Sequence, residues 1–188
     1  MTLSPKFEQA LVYATRIHGG QMRKKTKIPY IGHLLGVTAI ALEYGANETE
    51  AIAALLHDAV EDCGGAERQR EIEKKFGKEV GEIVAGCTDT DQTPKPPWRA
   101  RKENYIAHLN TASASTRLVS ASDKLHNAQA IVHNLREDGD EVWERFTAGK
   151  EGALWYYRAL VTAFREHGPS ALIEELDRVV TEMERLAR

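Results

Sequence analysis

The chain has almost no cysteine, no long apolar run and no excess of charge of either sign. Each absence removes a class of function. Two cysteines, Cys63 and Cys87, cannot make a disulfide framework, and their spacing is not that of a Cys-x-x-Cys metal knuckle. Both are expected to be small apolar fillers, and a reducing cytoplasm is the expected setting. No stretch approaches the ~18 consecutive apolar residues of a membrane span. The N-terminal Met1-Thr-Leu-Ser-Pro-Lys-Phe-Glu8 shows no basic-then-apolar signal pattern. A net charge of −3 gives no global attraction to nucleic acid or to an anionic membrane. An anionic substrate would therefore need local positive charge, from basic side chains or a bound cation.

What is present is helical periodicity, without convincing period-2 alternation. The pattern predicts a single all-α domain over 1–188, with its motif-bearing core at about 5–160 and a C-terminal helix at about 170–186. The first helix starts at Pro5 with Ser4 as its cap and stops at Gly19-Gly20. A basic turn, Gln21 to Lys27, leads to a second helix from about Ile31 to Tyr44. Glu48 to Asp62 is expected to be one continuous central helix, because Ala51 to Leu56 is apolar on every face. Shorter helices follow at about 66–76 and 78–88. The proline-rich Thr93-Pro-Lys-Pro-Pro97 marks a loop. Helices near 98–109, 115–135, 151–166 and 170–186 complete the chain, with a polar connection from Arg136 to Lys150.

The chemistry concentrates where the central helix reads Leu55-Leu56-His57-Asp58-Ala59-Val60-Glu61-Asp62. His57 and Glu61 are four residues apart, as are Asp58 and Asp62, so each pair shares a helix face. Carboxylates beside so apolar a run lose hydration and repel one another, at a cost of several kcal/mol. Basic partners or a cation must offset that cost, and a divalent cation does so best. His33 lies in the first turns of the second helix beside apolar residues. Asp123 and Asn127 stand one turn apart on a largely apolar helix, where the acid again needs compensation; Lys124 is expected to point elsewhere.

The ordered set His33, His57-Asp58, Asp123 resembles the signature of the HD-domain phosphohydrolases. The fuller pattern comprises His18-x-x-Gln21-x-Arg23-Lys24, Pro29-Tyr30-Ile31-x-His33, Ala54-Leu-Leu-His-Asp-x-Val-Glu-Asp62, Phe76-Gly77 and Asp123-Lys-Leu-x-Asn127. It is similar to one subfamily, the ppGpp hydrolases. These occur as stand-alone small alarmone hydrolases and as the hydrolase domain of Rel/Spo-type stringent-response enzymes. The resemblance implies one divalent ion, usually Mn²⁺ with Zn²⁺ or another divalent ion as the alternative, held by His33, His57, Asp58 and Asp123. It implies that Glu61 and Asp62 orient or deprotonate the attacking water. It assigns phosphate or base contacts to Arg23 and Lys24, and places Asn127 and Tyr157 in the nucleotide pocket. His18 could stand behind the ligands.

The chemistry is coherent without the family. A divalent ion activates water near neutral pH, basic residues balance phosphoryl charge, and a neighbouring carboxylate takes the proton. The implied activity is removal of the 3′-diphosphate of ppGpp or pppGpp, with no accompanying synthetase. The alternative is the same site acting on another nucleotide, including NADPH. The expected partner is a small-molecule nucleotide, with no nucleic acid or membrane, and no protein partner is indicated.

Overall fold

The computed structural model describes residues 2–90 and 94–188. The start of the proline-rich loop, Thr93, lies outside the described residues. Among the described residues the regular structure is helical, and the only β-type pairing is an isolated antiparallel bridge between Met22 and Pro29. No helix among them is long and apolar enough to cross a membrane. They pack as two compact units: 1–95 with 112–122, and 96–111 with 123–188.

In the first unit, α1 (Pro5–Ile17) begins as the sequence predicts. The Ser4 side chain accepts from the Lys6 amide, and Pro5 occupies the first turn, where no N–H is needed. A hairpin-like basic turn leads to α2 (Ile31–Glu43), which gives way through Tyr44 to Gly45 at φ 90°. Asn47 then caps α3 (Glu48–Leu56) reciprocally. The Glu50 amide donates to Asn47 Oδ1 at 3.0 Å, and the Asn47 amide donates to Glu50 Oε2 at 2.8 Å. Each residue from Ala51 to Leu56 is at most 1% exposed, so α3 is the unit's core element. It packs against α1, α2 and α6 (Lys78–Cys87). On the side of α6 facing Thr116, Gly86 permits a close approach, since a Cβ at that position would sit 2.6 Å from Thr116 Cγ2.

The expected continuous helix from Glu48 to Asp62 is broken. α3 stops at Leu56, Asp58 sits at φ −97°, ψ −2°, and a single turn, α4 (Ala59–Asp62), follows before α5 (Gly65–Phe76). The cause is local. The last carbonyls of a helix lack amide partners, and the His57 ring meets one of them, with Nδ1 2.8 Å from the Ala54 oxygen. Hydropathy could not reveal the break, because Ala59 and Val60 are buried like the residues before it.

The second unit contains α7 (Trp98–Leu109), α9 (Gly149–Arg165), α10 (Ala171–Leu186) and the C-terminal part of α8. α8 (Ala114–Asp138) runs three residues beyond the expected end at Leu135. The polar connection after it holds a 3-10 stretch, Gly139–Arg145, tied down by buried Val142 and Trp143. Arg158 bridges α9 to Asp177 and Glu184 on α10, and Arg165 adds Glu174 and Asp177.

Leu56 is wholly buried at the end of α3. Leu56→Ala is expected to lower stability by about 2–5 kcal/mol, the range for an enclosed leucine truncated to alanine. Urea denaturation with an unchanged slope checks it.

Candidate metal centre

The break after α3 turns the His57-Asp58 pair toward the start of α2. His57 is 2% exposed, and a carbonyl can only accept, so the ring's Nδ1 carries the proton given to Ala54. A neutral ring then presents the lone pair of Nε2, which lies 3.0 Å from Asp58 Oδ2. His33, also 2% exposed, brings its Nε2 to 3.5 Å from the same oxygen. The two imidazoles meet edge to face, with centroids 5.3 Å apart. Ligand atoms from the three residues all lie within 4.8 Å of one another.

This donor set fits a divalent ion. Ligand bonds of about 2.1 Å place neighbouring ligand atoms roughly 3.0–3.4 Å apart, close to the separations found. The carbonyl bond that fixes the His57 tautomer is the kind of outer support that orients a ligating histidine. Two acceptor atoms facing each other at 3.0 Å repel unless positive charge lies between or beside them. A cation supplies that charge and satisfies all three residues at once.

The sequence did not assign a role to Tyr30, although it quoted the residue within the motif. Its hydroxyl donates to Asp58 Oδ2 at 2.5 Å, and its ring lies edge-on to His33. The basic turn is more than a solvated run. The Arg23 amide donates to the Ile28 carbonyl and the Tyr30 amide to the Gln21 carbonyl, both at 2.9 Å, so the turn closes on itself. Lys25, at φ 56°, takes the left-handed corner. This brings Arg23 Nη1 to 3.3 Å from His33 Nδ1. Lys24 lies exposed on the same turn.

The two acids of α4 are held differently. Glu61 Oε1 is 2.7 Å from Lys95 Nζ, a contact that sequence spacing alone could not suggest. Asp62 Oδ2 accepts from Gln21 Nε2 at 2.8 Å. The Asp62 carboxyl titrates above the usual carboxylate range, chiefly because surrounding protein strips hydration from it and secondly because Asp58 is nearby. Cys63 is more than a filler: its Sγ lies 3.5 Å from both the Ile17 carbonyl oxygen and His18 Nδ1. Burial raises its thiol pKa, with the charge of Asp62 adding to the effect.

Asp123 belongs to the second unit and is 6% exposed. Asn127 Nδ2 donates to Oδ1 at 2.6 Å, and Lys124 Nζ lies 2.5 Å from Oδ2. The expectation that Lys124 points elsewhere is therefore wrong. Its flexible stem folds back over the Tyr105 ring, 5.1 Å from the ammonium, to reach the preceding residue. Burial opposes the charge on Lys124, but Asp123, Tyr105 and Tyr156 together outweigh it and raise the lysine pKa. Tyr157 is buried on α9 with its ring 5.9 Å from that of Tyr156.

Comparison with known proteins agrees with this geometry. The family model described as HD domain matches residues 10–154. Over 138 residues the chain is 40% identical to guanosine-3′,5′-bis(diphosphate) 3′-pyrophosphohydrolase MESH1 of Xenopus tropicalis, covering 72% of each protein. Over 133 residues it is 35% identical to GTP pyrophosphokinase rsh of Brucella ovis, covering 69% of this chain but only 17% of that much longer protein. Among solved structures, a metazoan ortholog of SpoT described as hydrolyzing ppGpp superposes with a TM-score of 0.80 at 27% identity. That match covers 100% of this chain and 99% of the other. The protein lmo0812 of Listeria monocytogenes matches at a TM-score of 0.70 and 28% identity, covering 79% and 96%.

Two measurements probe the centre. Tyr30→Phe removes the donor to Asp58 and is expected to weaken Mn²⁺ binding about 10- to 100-fold, as loss of outer-sphere support does; calorimetric titration checks it. Asp62, with its raised pKa, costs the metal-free protein stability above that pKa, and the cost fades as pH falls through it. Asp62→Asn should therefore stabilise the metal-free protein at neutral pH. The gain should vanish below about pH 4, where the carboxyl is protonated folded or unfolded. Thermal melting across pH reads the difference.

Proposed function

The chain belongs to the HD-domain family, and on that premise we propose that it is a metal-dependent phosphohydrolase acting on guanosine tetra- and pentaphosphate. It removes the 3′-diphosphate, leaving GDP or GTP and pyrophosphate. The observation that carries this reading is the convergence of His33, His57 and Asp58 beside Arg23. The similarity to MESH1 over 72% of both proteins supports the choice of substrate.

His33, His57 and Asp58 hold the ion; the assignment of Asp123 as the fourth ligand rests on the motif alone. The preferred ion is Mn²⁺, because two carboxylates together with substrate oxygens make a hard, expandable shell. When bound, the ion supplies Lewis acidity, which activates water near neutral pH and withdraws charge from phosphoryl oxygens.

The remaining steps belong to side chains. Arg23, a permanently charged guanidinium on a closed turn, offers its donors to the phosphoryl oxygens, and Lys24 adds a second positive charge. Asp62 or Glu61 takes a proton from the attacking water as its oxygen bonds to the 3′-phosphorus. The bond from that phosphorus to the 3′-oxygen breaks, and the ribose oxygen takes a proton from solvent water, so that GDP or GTP leaves with a free 3′-hydroxyl and the attacked phosphorus leaves in pyrophosphate. Lys95 already engages Glu61 in an ion pair, and Asp62 is the acceptor we favour. Asn127 and Tyr157 are assigned to the nucleotide pocket by the resemblance. The two free thiols fit a cytoplasmic setting.

A panel of nucleotides with Mn²⁺ tests the substrate. Turnover of ppGpp is expected, and turnover of NADPH or another nucleotide in its place would keep the metal chemistry and change the substrate. Within the reaction, Glu61→Gln or Asp62→Asn should lower kcat by ~10²–10⁴ with metal still bound, the effect of losing a general base. Arg23→Ala and Lys24→Ala should act mainly on KM. Wild-type rates from both carboxylate variants would remove those acids from the mechanism.

A further inference from the structure

One buried histidine lies outside the ligand set yet backs two of the three acids of the His57–Asp62 segment, Asp58 and Asp62. His18, 3% exposed, closes the end of α1, its amide donating to the Ala14 carbonyl. Its Nδ1 lies 2.6 Å from Gln21 Oε1. An amide oxygen only accepts, so His18 is the donor, and this fixes which end of the Gln21 amide faces the ring. The NH₂ end is left to donate to Asp62 Oδ2 at 2.8 Å. Turning the amide over would set its oxygen against the carboxylate, so the two bonds select the same orientation.

The backbone reinforces the arrangement. The Gln21 amide donates to the His18 carbonyl at 3.0 Å, and the Gln21 carbonyl accepts from Tyr30 at 2.9 Å. The other side of the His18 ring stacks on Tyr30, with centroids 5.4 Å apart and planes 23° from parallel. Tyr30 in turn donates to Asp58. Cys63, next to Asp62, rests its sulfur on the same imidazole.

We propose that His18 and Gln21 are positioning residues that hold the Asp62 carboxylate in one orientation for the hydrolytic step. With Oδ2 engaged by Gln21, the other carboxylate oxygen, Oδ1, takes the proton. Without that bond the Asp62 side chain would sample several rotamers, and only some would face the water. The proposal rests on the hydrolase reading above, although its geometric half can be tested without substrate.

The test has two arms. In the metal-free protein, the side-chain amide of Gln21 should show one proton shifted downfield by NMR, and the shift should disappear in Asp62→Ala. Its absence from the wild type would overturn the clamp whatever the substrate. In the kinetic arm, Gln21→Met keeps the volume and removes the donor. It should lower kcat on ppGpp about 10- to 100-fold, as a misplaced catalytic group does, leaving KM and Mn²⁺ affinity unchanged. In an Asp62→Asn background the same substitution should cost nothing more, because the two residues act as one unit. His18→Asn, which keeps a donor near the Nδ1 position, should retain rate that His18→Leu loses.

A raised KM with unchanged kcat, or equal losses in both backgrounds, would make the pair a structural brace and overturn the proposal. Should the wild type fail on ppGpp while the amide signature persists, the substrate reading falls and the clamp stands. The cycle is then run on the nucleotide that the wild type does hydrolyse.

Discussion

A carboxylate oxygen held 3.0 Å from one buried imidazole nitrogen and 3.5 Å from another sets the terms for the first unit. Left alone, such a cluster loses hydration without regaining it, so the surrounding fold must hold it together and positive charge must balance it. The apolar stretch of α3 provides the first. Its fully buried residues fix where the helix ends, and the bond from His57 to the Ala54 carbonyl fixes how the imidazole leaves that end. A divalent ion provides the second, with Arg23 adding charge from the closed turn.

Much of this was legible in the residues. Serine before proline and six consecutive apolar residues are local signals, and the start of α1 and the core element follow them. His57 and Asp58 were legible as costly side chains in an apolar context, and His33 joined them through the resemblance to the HD-domain signature. The break at Asp58 was not legible, since a helix end capped by a side chain leaves no mark in hydropathy. The bond between Lys124 and Asp123 was hidden for a related reason. Side-chain direction was inferred from helical spacing, and a flexible ammonium stem is not bound by it. Tyr30, Gln21 and Lys95 act through specific side-chain contacts between segments distant in sequence, which no periodicity encodes.

Function divides along the same physical lines. The two histidines that flank Asp58 are buried. The residues proposed for the proton and the phosphoryl group, Glu61, Asp62, Arg23 and Lys24, keep contact with solvent, and each of the two acids is held by a further side chain. Holding Glu61 through Lys95 and Asp62 through Gln21 gives adjacent acids different freedom, although they are one residue apart in sequence.

The central claim is that His33, His57 and Asp58 form a centre for one divalent ion, and Mn²⁺ titration of the metal-free protein tests it most directly. Wild type should bind one equivalent. Asp58→Ala should lose that site while its far-ultraviolet circular dichroism remains helical. Full retention of one tightly bound Mn²⁺ by folded Asp58→Ala would contradict the account.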